Sequence, residues 1–392
     1  MAAVATQSIS LPPRPNFKPI IQNVVSEKAP ESKTMGSDFQ PEKHLTYKEK
    51  AEVLMMKDIG YPEDRGVSPV AVSKPFPLFS EEAVHEMRSE IFKKEVMENC
   101  SYSSNIAACQ LRGYAPKYAP FTYDAWTHPE TLKIISDIAG VDLEPVMDLE
   151  IAHINFSVKS EEQTKRELDV INKQKRFYAD DEGIAGCPWE DDKPVVGWHT
   201  DSYPFVCVLM LSDCTNMVGG ETALRTATGD VMKVRGPTMG CAAILQGRYI
   251  THQALRALGA QERITAVTSF RPRNPFQRDD SVLDTVRPIS DLSVLYRSFA
   301  EYRLAMVEER VRAQLKEVRE KDRAGKRFDT KNFKRFLGEQ IAFLQHMQNE
   351  IVPDEEVQVG FIEEKDYPDV KVGPAGEEEE QADQASKRLR TE

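Results

Sequence analysis

The chain is short of the features that define several large protein classes. Only six of 392 residues are cysteine, at positions 100, 109, 187, 207, 214 and 241. No two of them form a CxxC pair, so the sequence reads as a reduced, intracellular protein rather than a disulfide scaffold. The N-terminal stretch MAAVATQSISLPPRPNF lacks the positive start and apolar run of a secretory signal. The longest apolar run, FVCVLML at 205–211, is far shorter than the ~20 residues that cross a bilayer. Positive charge is in deficit: 51 Lys and Arg stand against 63 Asp and Glu, a formal net charge of -12. A nucleic-acid-binding body needs a basic face to neutralise phosphates, so no nucleic-acid partner and no membrane are expected. Part of the acidity is local, in GEEEEQADQ at 376–384, which reads as a solvated tail. Cytoplasmic localisation is expected; KRLR at 387–390 is the one hint of a nuclear signal, and a plain solvated C-terminus is preferred. No internal repeat is visible.

What is present is enough apolar sequence, 40% of residues, for one large globular domain. Residues 1–45 are rich in Pro, Ser, Lys and Glu without an apolar period and are expected to be a disordered tail. The domain then spans 46–275. Ser80 reads as the N-cap of a helix with Val84, Met87 and Ile91 on one face, and 129–139 as a second helix with Pro129 in its first turn and Leu132, Ile135 and Ile138 as its stripe. From about 146 the period shortens to two. DLEIAHINFSV at 148–158 reads as a strand with Leu149, Ile151, His153 and Asn155 on one face. Further strands follow in VVGWHTD, FVCVLMLSD, ETALRTA, DVMKVRG, MGCAAILQGRYITH and ERITAVTSFRP, divided by turn signals such as Gly219-Gly220 and Gly236-Pro237. Many short strands with little helix between them predict a mainly β fold with flanking helices. A charged insertion at 159–194 reads as either a lid over a pocket or a solvated excursion.

After 286 the period is helical again. Leu304, Val307, Val311, Leu315 and Val318 form one stripe, Gly325 breaks it, and Phe333, Leu337, Ile341 and Leu344 form a second behind Asp329 and Thr330. The segment 286–352 is expected to be an αα-hairpin, packed on the β-region or self-associating with another subunit, and 353–392 an acidic disordered tail.

The chemistry is carried by GWHTDSYPF at 197–205. His199 and Asp201 are two apart, so on an extended strand both point the same way. An unpaired carboxylate among apolar neighbours would cost several kcal/mol by rough estimate, and a metal ion would offset that cost. A further histidine, His252, lies 53 residues on. Two imidazoles and one carboxylate on one side of a metal leave its opposite side open, the arrangement of non-haem Fe(II) oxygenases, whereas structural zinc sites favour four ligands with cysteine. Eleven residues later Arg263 and Thr265 share a strand face, and a buried arginine without a nearby carboxylate calls for an anionic ligand.

His199, Asp201, His252, Arg263 and Thr265, with the GGET turn at 219–222 and LQGRYITH at 245–252, resemble the signature of the Fe(II)/2-oxoglutarate-dependent dioxygenases over about residues 76–275. The family pattern more often has serine where Thr265 stands, and the hydroxyl is kept. The resemblance implies a double-stranded β-helix (jelly-roll, cupin-like) core followed by the C-terminal αα-hairpin. It implies that His199, Asp201 and His252 hold Fe(II), that Arg263 pairs with the far carboxylate of the cosubstrate 2-oxoglutarate, and that Thr265 and Asn155 donate hydrogen bonds to it. Dioxygen would complete the site. The implied reaction couples oxidative decarboxylation of 2-oxoglutarate to oxidation of a C–H bond, with a small molecule as the expected substrate. The alternatives are a protein hydroxylase and a non-catalytic β-barrel that serves as a binding or assembly module.

Other polar residues have plainer readings. His153 is read as a core histidine bonded to a backbone carbonyl, and His44, His85, His128 and His346 as surface or packing residues. Trp198 and Tyr203 either line a pocket or pack the barrel; Arg225, Arg248 and Tyr249 stand near the expected mouth.

Overall fold

The computed structural model describes residues 39–105, 107, 109–178, 194–214, 217–234, 238–255, 257–260 and 262–362. The stretch 1–38, residues 179–193 of the insertion, the Gly236-Pro237 turn, the acidic run at 376–384 and KRLR at 387–390 lie outside the described residues. Residues 39–45, expected to belong to the tail, dock on the body: Pro41–His44 make one helical turn, His44 is buried against Phe39 and Phe121, and Leu45 bridges to Phe79. A few aromatic contacts hold a segment whose composition otherwise reads as solvated.

Helices α1 (Glu81–Ile91), α2 (Pro120–Thr127) and α3 (Pro129–Ala139) cover one flank. The Ser80 hydroxyl accepts from the Ala83 N–H at 3.3 Å, and Val84, Met87 and Ile91 are buried on one side of α1. Pro129 starts α3, and Gly140, with φ of 71°, stops it.

The fold is mostly antiparallel sheet. The strands β1 (Val70–Ser73), β2 (His153–Val158), β3 (Pro194–His199), β4 (Phe205–Met210), β5 (Thr222–Arg225), β6 (Val231–Val234), β7 (Cys241–Leu245), β8 (His252–Leu255) and β9 (Glu262–Pro272) carry the site. The larger sheet runs in the order Val53–Met55, β1, β7, β4, β9, β2, Gln110–Leu111, Ser101–Tyr102, and the smaller in the order β6, β5, β8, β3. Both are open rather than closed into a barrel, and every described strand pair is antiparallel.

The two faces of the larger sheet do different jobs. Ile154, Leu209 and Ala266 share a cluster with Val84, Met87, Trp126 and Ile135 of the helices. The alternate residues Val206, Val208, Leu245 and Val267 face the smaller sheet and meet its Leu224 and Val234. The gap between the sheets is therefore lined by Asn155, Arg263 and Thr265 from one side, in register with Val267, and by His199 and His252, in register with Leu224, from the other.

Two expected strands are cut shorter than their periodicity suggests. Asp148–Glu150 is a turn of 3-10 helix and Ala152 has φ of 55°, so β2 begins only at His153. The Ala152 N–H is taken by the Thr268 hydroxyl at 2.9 Å instead of a neighbouring strand. LQGRYITH is not one strand either: β7 ends at Leu245, and His252 opens β8 instead of closing the strand before it. The Gln246 side chain braces the intervening turn, donating to Ser68 O at 2.7 Å and accepting from Val67 N–H at 3.0 Å.

In the insertion, Glu161–Tyr178 forms helix α4. Helices α5 (Leu292–Arg323) and α6 (Thr330–Glu350) are capped by Asp291 and Asp329, each accepting from the N–H three residues on. They run antiparallel, with Arg303 and Arg310 both stacked on Phe343 at 3.8 and 4.2 Å. Their root joins the body through Leu295, Phe299, Tyr302, Met306 and Met347, which pack on Met147, Tyr203 and Leu283. The apolar stripe read from the sequence is not the packed one: Leu304, Val311, Leu315, Leu337, Ile341 and Leu344 are all exposed. Helix α5 carries two apolar faces, and the one richer in aromatics faces the body. Among the described residues no helix is long and apolar enough to cross a membrane.

Candidate metal centre

His199 ends β3 and His252 opens β8, and the two are direct partners across the antiparallel pair. Their rings lie 4.3 Å apart. Each ring is oriented by its own backbone: His199 Nδ1 lies 2.8 Å from Gly197 O and His252 Nδ1 lies 2.9 Å from Ile250 O. With Nδ1–H donating to those carbonyls, each Nε2 keeps its lone pair for a ligand. Both turn to the same carboxylate, His199 Nε2 at 3.5 Å from Asp201 Oδ1 and His252 Nε2 at 3.6 Å from Asp201 Oδ2. The ligand atoms of the three residues all lie within 4.8 Å of one another. Adjacent ligands of one first-row metal ion stand ~3 Å apart, so a small contraction would seat an ion.

Asp201 is held by the turn that precedes β8. Its N–H donates to Gly247 O at 2.9 Å, and a Cβ on Gly247 would lie 1.7 Å from Asp201 Oδ2. No side chain fits there. Asp201 Oδ2 is shut off from solvent with no hydrogen-bond donor among the described residues, a cost of roughly 1–3 kcal/mol or more for a charged oxygen that a cation at this point would offset. Burial alone would raise the Asp201 carboxyl, but the His252 and His199 imidazoles outweigh it and hold it below the usual range. Burial pushes His252 down to about 4, against the pull of Asp201. For His199 burial acts in the same downward sense, but its hydrogen bond and charge contact with Asp201 prevail and its pKa is raised. This donor set, two neutral-capable imidazoles and one carboxylate without cysteine, fits a non-haem Fe(II) ion.

No protein-family model matches the chain, and no curated protein matches it in sequence. Three solved structures similar to part of it follow. One is a prolyl-4-hydroxylase from Pseudomonas putida, 16% identical over 50% of this chain and 88% of that one, with a TM-score of 0.30. Another is an oxidoreductase of the 2OG-Fe(II) oxygenase family from Burkholderia pseudomallei, 13% identical over 45% and 74%, with a TM-score of 0.30. A third is the non-haem, alpha-ketoglutarate-dependent epimerase SnoN of nogalamycin biosynthesis, 12% identical over 49% and 74%, with a TM-score of 0.32.

Across the gap, Arg263 and Thr265 stand on β9, and Thr265 is the register partner of Asn155 on β2. Among the described residues Arg263 Nε is cut off from solvent without an acceptor, and no carboxylate pairs with Arg263. Burial lowers its pKa. The Gly219-Gly220 turn lies against it; both glycines have φ of 78°, and a Cβ on Gly220 would sit 3.7 Å from Arg263 Nε.

The remaining polar residues are drawn into structural roles. His153 Nε2 bonds Gln110 Oε1 at 2.9 Å, a side chain in place of the expected backbone carbonyl, and its Nδ1 lies 3.5 Å from Arg112. Burial and then the Arg112 charge press it down to about 3. Tyr203 does not line a pocket: its hydroxyl donates to Glu150 at 2.5 Å, and Glu150 forms a buried ion pair with Arg112. Arg225 stacks on Trp198 at 4.7 Å. Arg248 and Tyr249 both bond Asp280. Ser202, between Asp201 and Tyr203, accepts from Val282 N–H at 2.8 Å, which ties the Asp201 loop to the segment that leads into α5. Gly247 and the Arg112–Glu150 pair escaped sequence reading; the QGRY turn was the only signal for the first.

Proposed function

We propose that the chain is a non-haem Fe(II), 2-oxoglutarate-dependent oxygenase with a double-stranded β-helix core, acting on a C–H bond of a small molecule. The observation that carries this reading is the pair of histidine Nε2 atoms turned on the unsatisfied Asp201 carboxylate. His199, Asp201 and His252 would hold the iron. Arg263 would bind the far carboxylate of 2-oxoglutarate, with Thr265 and Asn155 beside it on the same sheet face. When bound, iron and 2-oxoglutarate with dioxygen supply the oxidising power, and succinate and carbon dioxide are the coproducts.

The chain's own residues bind, orient and shield. The two Nδ1–H groups fix the rings, Gly247 leaves room for the carboxylate, and the apolar lining from Leu224 and Val267 keeps water from the gap. Anaerobic titration of the purified protein with Fe(II) should give one ion per chain, and 2-oxoglutarate should bind only to the loaded protein. Succinate release across pools of small metabolites would then find the substrate. A chain that binds no Fe(II), or binds it but never 2-oxoglutarate, would leave the reading without support.

A further inference from the structure

The outer face of the α5–α6 hairpin carries an apolar surface that the described residues leave uncovered. At 100° per residue, Leu304, Val307, Val311, Leu315 and Val318 fall within an arc of about 80° on α5, about 150° from the face that packs on the body. Leu337, Ile341 and Leu344 occupy the matching side of α6. Ile341 is 67% exposed and Leu304 53%. The face is about 20 Å long and two helices wide, so covering it on two copies buries on the order of 1,000 Å², near the lower bound for a specific interface.

The charges at the edge of this face identify what covers it. Glu301 and Glu308 flank the stripe on the root side of α5, and Arg312 and Arg319 flank it on the tip side. Glu301 and Arg319 are exposed and have no ion-pair partner among the described residues, while Glu308 and Arg312 pair with each other. The midpoint between Glu301 and Arg319 is residue 310, and so is that between Glu308 and Arg312. Leu304 and Leu315 centre within half a residue of the same point, and Val307 and Val311 within one. On α6, Leu337 and Leu344 centre beside Ile341. Arg310 stacks on Phe343, so Ile341 lies near the same level along the hairpin. A pattern that reads the same from a common centre on two helices is what a two-fold axis requires.

We infer that this face binds a second copy of the chain, antiparallel, about a two-fold axis passing between Arg310 and Ile341 of the hairpin. Each copy's Glu301 then faces its mate's Arg319, and Leu304 meets Leu315. The alternative two-fold axis, along the helices, would set tip against tip. That would crowd Arg312, Arg319, Lys331 and Lys334 of both copies together, so the charge pattern selects the antiparallel arrangement.

Sedimentation velocity of the full chain tests this without reference to the proposed activity. The chain should be dimeric at about 100 µM, and Ile341→Glu should make it monomeric with its far-ultraviolet circular dichroism unchanged. Glu301→Arg and Arg319→Glu should each weaken the dimer about tenfold, since two copies of the contact turn repulsive, and the double variant should recover to within about threefold. A chain that stays monomeric at that concentration overturns the inference, as does an Ile341→Glu dimer as tight as the parent. A double variant no better than either single one overturns the antiparallel register.

Discussion

Replacing Arg263 by alanine separates the proposed cosubstrate from any other use of the metal site. The Arg263 Nε has no acceptor among the described residues and burial lowers the pKa of the group, so that nitrogen is desolvated without a partner. Its removal deletes that cost along with some aliphatic packing, and the two terms oppose each other at roughly 1–3 kcal/mol each. The melting temperature of the ligand-free protein should therefore move little. Binding is different. With 2-oxoglutarate seated, the variant would leave a buried carboxylate without its counter-charge, a loss of about 3–5 kcal/mol, or between two and four orders of magnitude in affinity. Calorimetric titration of 2-oxoglutarate into anaerobic, Fe(II)-loaded protein measures this directly. Thermal stability supplies an independent reading, since ligand at about 100 times Kd adds about 2.7 kcal/mol to the parent and nothing at that concentration to the variant. Fe(II) affinity should be nearly unchanged in Arg263→Ala and lost in His252→Ala. Wild-type affinity for 2-oxoglutarate in Arg263→Ala, or iron loss as complete as in His252→Ala, would refute the assignment.

Gly247→Ala should displace the Asp201 carboxylate, because the new Cβ has no room beside Oδ2; Fe(II) affinity should fall about 10- to 100-fold with the far-ultraviolet circular dichroism intact. Glu150→Ala leaves Arg112 buried without its partner and should cost about 3–5 kcal/mol in urea unfolding, whereas Arg112→Met with Glu150→Gln together should cost less. His153 has a folded pKa of about 3 against an unfolded value near 6.5, so its contribution to stability is present above the unfolded value and is lost as pH falls toward 3. Between pH 7 and pH 5 the parent should lose up to about 2 kcal/mol from this group, less in proportion to its partial exposure, and His153→Gln should flatten that part of the profile.

The sequence exposed the polar residues of the site better than the backbone that holds them. His199 with Asp201, and Arg263 with Thr265, are legible because a spacing of two on a strand fixes a shared face, whatever the register. Register is a tertiary property. That His252 faces His199 across β3 and β8, and that it opens a strand, depends on a turn braced by the Gln246 amide, and no local pattern encodes that brace. The role of Gly247 was hidden for a related reason, with only the QGRY turn to mark it: its need for a missing side chain comes from Asp201, 46 residues earlier. On α5, periodicity found an apolar stripe but could not say which of two stripes faces the body. The packed face includes Arg303 and Arg310, which composition counts as polar and which here lie flat on Phe343.

The candidate centre is built from two incomplete halves of opposite sign. Among the described residues, Asp201 presents a buried oxygen without a donor on one side of the gap, and Arg263 presents a buried nitrogen without an acceptor on the other. They do not pair with each other among the described residues, although pairing would be the simplest way to relieve both. They are carried by different sheets, Asp201 by the loop between β3 and β4 that Gly247 and the root of α5 clamp, and Arg263 by β9 beneath the Gly219-Gly220 turn. A cation alone would relieve only the first and an anion alone only the second. A divalent metal ion chelated by one end of a dicarboxylate whose other end reaches Arg263 would relieve both at once, and each partner would lower the cost of burying the other. Such coupling gives a physical reason for placing two buried polar groups of opposite sign on facing sides of one gap.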